Sequence, residues 1–399
     1  MPALPLIQHP PWYQLPTHFP NAHLRSAVVI GAGLAGCAVA RHLAERHWRV
    51  EVLEHRSQIA GGASGNPAGI FKPQVTSEDS HVTHYYKYSY QYFIDYLEKL
   101  LEGECSFEHD FCPLLGIDGN PSQTARFIAE SNTPTSLKTG WLAPAEFCRA
   151  QINHPNIHVR TDIAIASLQD DEDGWRCLDA HGAVLCETPV LIVATGSASI
   201  QFQQTRELPL QPLAGQITLL DAEAIQPAVT DIHCDRHFII PQADGSYVCG
   251  ATHHRTPSLR VNDADHRANL DACRKLLPRH TIDANKILGG RTSTRCVSPD
   301  HLPIAGAVPD FAYYEHAYDS LHHGRPAKSF PPARYLPGLY VISALGAHGI
   351  SLSPFLGHLL SDIILNSLND EKAAITELLH PARFHIRRLR RKPADRSAH

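Results

Sequence analysis

AVVIGAGLAGCAVARHLAERHWRVEVLE, residues 27–54, opens on Ala27 to Ile30, a short apolar, β-branched run of the kind a buried parallel strand needs. Gly31, Gly33 and Gly36 follow at once as G-x-G-x-x-G, and Leu34, Ala38, Val39 and Leu43 then recur at helical spacing. Arg49 to Leu53 reads as a second strand that ends in Glu54. Gly31 permits the tight turn, Gly33 lets backbone approach a pyrophosphate, and Gly36 lets the helix pack against the strand. Leu34 and Ala35 open that helix, whose N-terminus points free N–H groups and a partial positive charge at the same group. Glu54, eighteen residues beyond Gly36, is placed to accept hydrogen bonds from a ribose diol, which favours an unphosphorylated ribose. Strand, helix, strand and terminal acid in register predict a dinucleotide site. The plainer alternative is a Gly-rich turn inside an ordinary βαβ unit.

The chain has 399 residues, enough for a large core and for two interleaved domains. Its 43% hydrophobic and 19% charged residues are ordinary for a globular protein. The longest apolar run, Ala27 to Ala40, is broken by three glycines and is too short to span a bilayer. The proline-rich start, MPALPLIQHPPWYQLPTHFPNAHLR, lacks a basic head and an apolar signal core, so residues 1–25 read as an extended arm. Ten cysteines are scattered without C-x-x-C and 27 histidines are diffuse; the expectation is a reduced cytoplasmic protein with no bound metal. Charge is less evenly spread. Arg383 to His399 carries seven basic residues against Asp395, a formal +6 within a chain of −5, leaving −11 on the first 382 residues. Such a tail suggests an anionic partner, nucleic acid first, although a solvated tail that aids solubility fits the charge equally.

Beyond Glu54, IAGGASGNPAGIFKPQ holds Gly61, Gly62, Gly65 and Gly69, with Ala63, Ser64 and Asn66 among them, and predicts a tightly folded loop. His81 to Leu101 is rich in tyrosine and reads as a helix packed on the sheet, with one face also able to stack on a base. Pro144 opens a helix within GWLAPAEFCRA, Ile157 to Arg160 is a strand, and Ala164 to Leu185 alternates as hairpins. Val190 to Ala194 is a second buried strand, running into Thr195-Gly196. From Pro209 to Leu277 short strands are separated by polar turns and followed by a helix from Asp263. Gly338 to Ile364, GLYVISALGAHGISLSPFLGHLLSDII, is again strand, Gly-rich turn (Gly346, Gly349, Ile350) and helix, so a second helix N-terminus is expected to address the same ligand. The fold class is α/β (α+β overall). A Rossmann-like dinucleotide-binding domain is built from residues 26–100, 141–208 and 285–368. A mostly antiparallel substrate domain is built from 101–140 and 209–284, and a basic tail spans 369–399.

In order along the chain, GAGLAG, GGASGN, ATG, LPLQPLAGQ, RCVSPDHLPIAG and GAHGI resemble the glycine oxidase/D-amino-acid oxidase family of FAD enzymes, over nearly all of Ser26 to Asn366. More narrowly, GASGNPAG, SPDHLPIAGAVPD and the ending HPARFHIRRLRRK resemble the oxidoreductase half of the MnmC family of bifunctional tRNA-modification enzymes. Those fused proteins carry a methyltransferase module ahead of this one; about twenty-five residues precede the first strand here, so methyl transfer is left to a separate methyltransferase partner. The resemblance implies FAD as cofactor and, as substrate, a tRNA wobble uridine with a 5-carboxymethylaminomethyl group. Hydride leaves the glycine-like CH2 for the flavin, water splits the imine into 5-aminomethyluridine and glyoxylate, and oxygen reoxidises the flavin to give peroxide.

It also implies residue roles. Gly62, Ala63, Ser64, Gly65 and Asn66 would give backbone N–H groups to the cofactor, and Gly196 marks a second close approach. Arg295 matches the position that holds the substrate carboxylate, where a planar fork makes two charge-assisted bonds. His348 would bind that carboxylate or stabilise negative charge on the reduced ring, unless it is a turn histidine bonded to backbone. Lys72 would activate oxygen or contact the carboxylate. Arg387, Arg388, Arg390, Arg391 and Lys392 would contact tRNA phosphates, which a free-amino-acid oxidase does not need. The competing readings are a free glycine, sarcosine or D-amino-acid oxidase and a non-catalytic RNA-binding flavoprotein. The later glycine turns disfavour an NAD-dependent dehydrogenase.

Overall fold

The computed structural model describes residues 9–15, 24–74, 80–103, 106–117, 138–255, 260–393 and 396. Parts of the N-terminal arm, of the 101–140 segment and of the tail (Asp395 among them) lie outside the described residues.

The first sheet contains β1 (Ser26–Ile30), β2 (Arg49–Leu53), β7 (Ile157–Arg160), β11 (Val190–Val193), β19 (Ile304–Pro309) and β20 (Tyr335–Ser343), in the order β19-β20-β11-β1-β2-β7. Neighbours run parallel except β19, which is antiparallel to β20. A central parallel strand must have both faces covered, and VLIV of β11 is buried throughout. One face is covered by α1 (Leu34–Ala44) and α6 (Gly349–Ile364), whose Phe355, Leu356, Leu359 and Leu360 share a core with Val39 and Leu43. The tyrosine-rich helix α2 (His81–Leu101) packs over α6; Tyr88 and Tyr92 meet Phe355 at 5.1 and 5.8 Å, so packing occupies that aromatic face. On the other face lies a small sheet, β8 (Ser167–Asp171), β9 (Gly174–Leu178) and β10 (Val184–Thr188), with Trp175 and Cys177 against Val28, Leu191 and Leu339.

The second large sheet has the order β18-β12-β16-β15-β14-β5, from β5 (Leu114–Leu115), β12 (Gln211–Leu220), β14 (Ile232–Cys234), β15 (Phe238–Pro241), β16 (Tyr247–Gly250) and β18 (Ile287–Val297). Helix α4 (Asp263–Leu276) covers it, with Leu270, Cys273 and Leu276 against Leu220, Tyr247 and Cys249. Asn262 caps that helix, its side chain accepting from the Asp265 N–H at 2.9 Å. The expected boundary at residue 285 assigned β18 to the nucleotide-binding part. Its pairing with β12, from Gln211↔Val297 to Leu220↔Ile287, instead makes β18 the edge of the antiparallel sheet facing the nucleotide-binding loops. The remaining strands are β3 (Gly69–Phe71), β6 (Gly140–Leu142) and β4 (His109–Phe111) in one sheet, and β13 (Ile225–Gln226) with β17 (Thr281–Ile282). Pro144 begins α3 (Pro144–Ile152).

The described part of the basic tail is not free. It folds as α7 (Asp370–Leu379) and α8 (Arg383–Leu389), and α8 docks beside α5 (Phe311–Ala317). Ile386 and Leu389 join a satellite core with Trp12, Tyr13, Tyr314 and Tyr318, so the described part of the N-terminal arm is docked as well. Arg383, 1% exposed, donates from Nε and Nη2 to the two oxygens of Asp300 at 3.0 and 2.8 Å, and Arg387 Nη1 donates to Asp300 Oδ2 at 2.7 Å. Burial opposes the charge on Asp300, but these guanidinium groups hold its carboxyl well below the usual carboxylate range. Arg388 pairs with Glu315, and Arg390 lies 5.5 Å over the Trp12 ring. Arg390, Arg391 and Lys392 remain exposed. Counting charge alone missed this docking because Phe384, Ile386 and Leu389 give the same segment a buried face.

Candidate active site

The C-terminal end of β1 is where the chain departs to β2 on one side and later to β11 on the other, the crevice in which open α/β sheets bind ligands. Gly31 turns there with φ +105°, and a Cβ on it would lie 2.6 Å from the Ala194 carbonyl oxygen. A Cβ on Gly36 would lie 1.8 Å from the Gly31 oxygen, so α1 reaches the strand only with glycine at both positions. Glu54, 6% exposed at the end of β2, accepts from the Ala32 N–H through Oε2 and from the Arg56 N–H through Oε1, each at 3.0 Å. Its carboxylate therefore braces the turn besides facing the crevice. The Leu34 N–H donates to Ser64 Oγ at 3.1 Å, whereas the Ala35 and Gly36 N–H groups find no acceptor among the described residues.

Three more segments close the same cleft, about 1170 Å³ in volume, beyond the ~300–1,000 Å³ of ordinary small-ligand pockets. Gly61 to Asn66 contains a short 3₁₀ turn, Ala63–Gly65, and is clipped by Arg291 of β18. Arg291 donates to Asn66 Oδ1 at 2.6 Å, to the Gly61 oxygen at 3.1 Å and to the Gly62 oxygen. This clamp escaped the sequence reading, although Arg291 and Arg295 are four apart in one strand and so share a face. Gly196, at φ +59°, sits where the Ser343 hydroxyl donates to its carbonyl at 3.1 Å. Opposite it, Gly346 to Ser351 leads into α6, and the Gly349, Ile350 and Ser351 N–H groups also lack an acceptor among the described residues. Two helix N-termini with unused donors thus open on one cleft, an arrangement made for anionic groups.

Arg295, His348 and Lys72, expected from sequence, line this cleft together. Arg295 Nη1 donates to Nε2 of His253 at 3.2 Å; among the described residues neither Arg295 nor Lys72 has a carboxylate partner. Burial among protein atoms lowers the Arg295 pKa from its ordinary value. Lys72 Nζ lies 3.6 Å from Cys234 Sγ. His348 is held down to about 4, first by burial and then by the Lys72 and Arg295 charges, so it is neutral at pH 7. The Gln74 amide nitrogen can only donate, so His348 Nδ1, 2.6 Å away, accepts and Nε2 carries the proton. His348 is thus a neutral donor, and His253, which sequence reading left among diffuse histidines, is the neutral acceptor that orients Arg295. Among the described residues no group of three or more His, Cys, Asp or Glu is placed to hold a metal ion.

The family model described as FAD dependent oxidoreductase (DAO) matches residues 26–131 and 135–363. The chain belongs to the DAO family of FAD-dependent oxidoreductases. FAD is its cofactor, and the expected fold and enzyme class are borne out. Among curated relatives, "tRNA 5-methylaminomethyl-2-thiouridine biosynthesis bifunctional protein MnmC" of Chromobacterium violaceum is 32% identical, over 97% of this chain and 63% of that protein. The protein of the same name from Pseudomonas entomophila is 31% identical, over 95% and 62%. This member of the DAO family therefore spans less than two thirds of the length of those relatives. Among solved structures, glycine oxidase from Geobacillus kaustophilus superposes with a TM-score of 0.64 at 18% identity, covering 86% of this chain and 95% of that one. Iminodiacetate oxidase from Chelativorans sp. BNC1 gives 0.62 at 20%, over 86% and 96%. At these identities the likeness is one of fold. No helix among the described residues is long and apolar enough to cross a membrane.

Proposed function

We propose that this oxidoreductase acts on a CH–NH bond, oxidising the carboxymethylaminomethyl group of a tRNA wobble uridine to leave 5-aminomethyluridine and glyoxylate, with oxygen as electron acceptor. The names of the relatives support the nucleoside class. The observation that carries the chemistry is the guanidinium of Arg295, lodged in the cleft with a histidine and, among the described residues, no carboxylate as its partner. A substrate carboxylate supplies the missing charge and can take the N–H groups that His253 leaves unused.

The residues of the cleft fit FAD. The Ala35, Gly36, Gly349, Ile350 and Ser351 N–H groups, without an acceptor among the described residues, would meet its phosphates and ring oxygens, and Glu54 a ribose. Bound there, FAD supplies a two-electron acceptor. Arg295 fixes the carboxylate and thereby the adjoining CH2. Arg295 and Lys72 together disfavour a protonated substrate amine, so it sheds its proton to solvent and no dedicated base is required. His348 Nε2–H donates a hydrogen bond to the carboxylate or to the ring beside it. Arg390, Arg391 and Lys392 would contact tRNA phosphates, while Arg387 and Arg388 are held by Asp300 and Glu315. Such a reaction belongs to the cytoplasm, where tRNA is modified, and a separate methyltransferase activity would complete the product.

The test is to incubate the purified flavoprotein with tRNA carrying the carboxymethylaminomethyl group, digest to nucleosides and follow them by mass spectrometry. Conversion to the aminomethyl nucleoside with matching glyoxylate is expected. Unchanged nucleosides beside rapid turnover of free glycine would overturn the tRNA reading.

A further inference from the structure

Six of the cysteines among the described residues touch in pairs: Cys37 with Cys148, Cys177 with Cys186 and Cys249 with Cys273. Both members of the first and third pairs are buried, which shields them from solutes. The pair on the β9–β10 hairpin is different, because Cys177 is buried whereas Cys186 is partly open to solvent.

The hairpin register sets Cys186 opposite Cys177, at the point where the ladder becomes regular again after a shift between Val184 and Cys186. Opposed residues of antiparallel strands have Cα atoms ~4.5–5.5 Å apart, inside the ~4.4–6.8 Å that a disulfide spans. Both side chains join the same apolar cluster on one face of the hairpin. Arg160 of β7 donates to the Leu185 carbonyl at 3.4 Å beside Cys186, and Glu51 of β2, paired with Arg160 at 3.1 Å, partly offsets its charge. The bond from Cys177 and then the Arg160 charge lower the Cys186 pKa, against burial and Glu51, while the same bond and burial push Cys177 up. Cys186, partly open to solvent, is thus the member that a dissolved oxidant reaches first, and the buried Cys177 is positioned to follow.

We propose that Cys186 and Cys177 form a peroxide-sensitive dithiol that closes into a disulfide across the hairpin. The Cys186 thiolate attacks one oxygen of hydrogen peroxide; an S–O bond forms, the O–O bond breaks, and hydroxide leaves and is protonated to water. Cys177, having released its proton, attacks the sulfenic sulfur; the S–S bond forms, the S–O bond breaks, and the oxygen leaves as a second water. Two thiols lose two electrons and one peroxide gains them. The peroxide is supplied from outside, so the inference stands apart from the tRNA reading.

The test treats the holoenzyme with hydrogen peroxide, blocks remaining thiols with N-ethylmaleimide after denaturation, and maps peptides by mass spectrometry. Cys177 and Cys186 should lose their alkylation together, ahead of the other cysteines and in a peptide short of two hydrogens, and dithiothreitol should restore both. In Cys177→Ser, oxidation should stop at a sulfenic acid on Cys186 that dimedone traps. Full alkylation of both residues in treated wild-type protein, or sulfinic acid on Cys186 beside a reduced Cys177, would refute the proposal. The wild-type map needs no variant, so the outcome does not depend on whether the variant folds.

Discussion

Replacing Arg295 with alanine removes a guanidinium that lines the cleft beside His348 and has no carboxylate partner among the described residues. In the free protein the loss is small, because Arg295 bonds only a neutral histidine and its burial already disfavours the charge. In the substrate complex two charge-assisted bonds disappear, each worth ~1.5–3 kcal/mol, so ~3–6 kcal/mol of binding energy to the carboxylate is lost. At ~1.4 kcal/mol per tenfold, kcat/KM should fall by roughly 10²- to 10⁴-fold. Arg295→Lys keeps a charge without the planar fork and should fall between the two. The assay is glyoxylate release from modified tRNA over a range of concentrations, with flavin absorbance checked to show that the cofactor is still bound. Thermal midpoints should be unchanged or slightly raised, since an unpaired, partly desolvated cation has been removed. An Arg295→Ala enzyme with wild-type kcat/KM would refute the assignment; loss of activity together with a collapsed melting temperature would show that the residue is structural.

Arg291→Leu should free the Gly61–Asn66 loop, and losing its hydrogen bonds at ~1 kcal/mol each should weaken FAD binding roughly 10- to 100-fold in fluorescence titrations; unaltered affinity would remove it from the cofactor's support. His380 is 2% exposed, accepts from the Ala382 N–H at 3.0 Å, and is held down to about 3 by burial. A histidine lowered on folding stabilises the protein fully above its unfolded value of about 6.5 and loses that contribution as pH falls toward 3, on the order of 5 kcal/mol. Urea melts should therefore weaken between pH 7 and pH 4, with a flatter slope in His380→Gln; equal slopes would exclude this source. Changing Arg390, Arg391 and Lys392 together to glutamine should flatten the salt dependence of tRNA binding by roughly one log unit for each phosphate no longer neutralised, and an unchanged slope would free the tail of that role.

The glycine pattern at 31, 33 and 36 and the acid at 54 were legible because a tight turn, a close helix approach and a strand end each demand one residue type at fixed spacing. The second helix N-terminus at 349 was legible for the same reason. Arg291, Gln74 and His253 were not. Each acts through a partner distant in sequence (Asn66, His348 and Arg295), and no local periodicity announces that meeting. The pairing of β18 with β12 was missed for a related reason, since GGRTSTRC carries no apolar alternation of its own and takes its hydrogen bonds from the neighbouring strand. The protonation state of His348 was equally hidden, because it follows first from burial and then from two cations brought in from residues 72 and 295.

The docked helix α8 changes what basic charge means at this end of the chain. Truncation after Ala382 is a natural probe of RNA binding when the segment is read as a loose arm. In the structure it would remove Ile386 and Leu389 from a buried core and strip Asp300 of both guanidinium partners. Removing α8 uncovers the apolar side chains it packs against, so a truncated protein reports on folding first. Asp300 also lies only five positions beyond Arg295, so the clamp steadies the loop into which the cleft-lining strand β18 runs. Charge available to a polyanion is therefore confined to the exposed side chains past Leu389, and neutralising those leaves the clamp intact and separates recognition of RNA from stability of the fold.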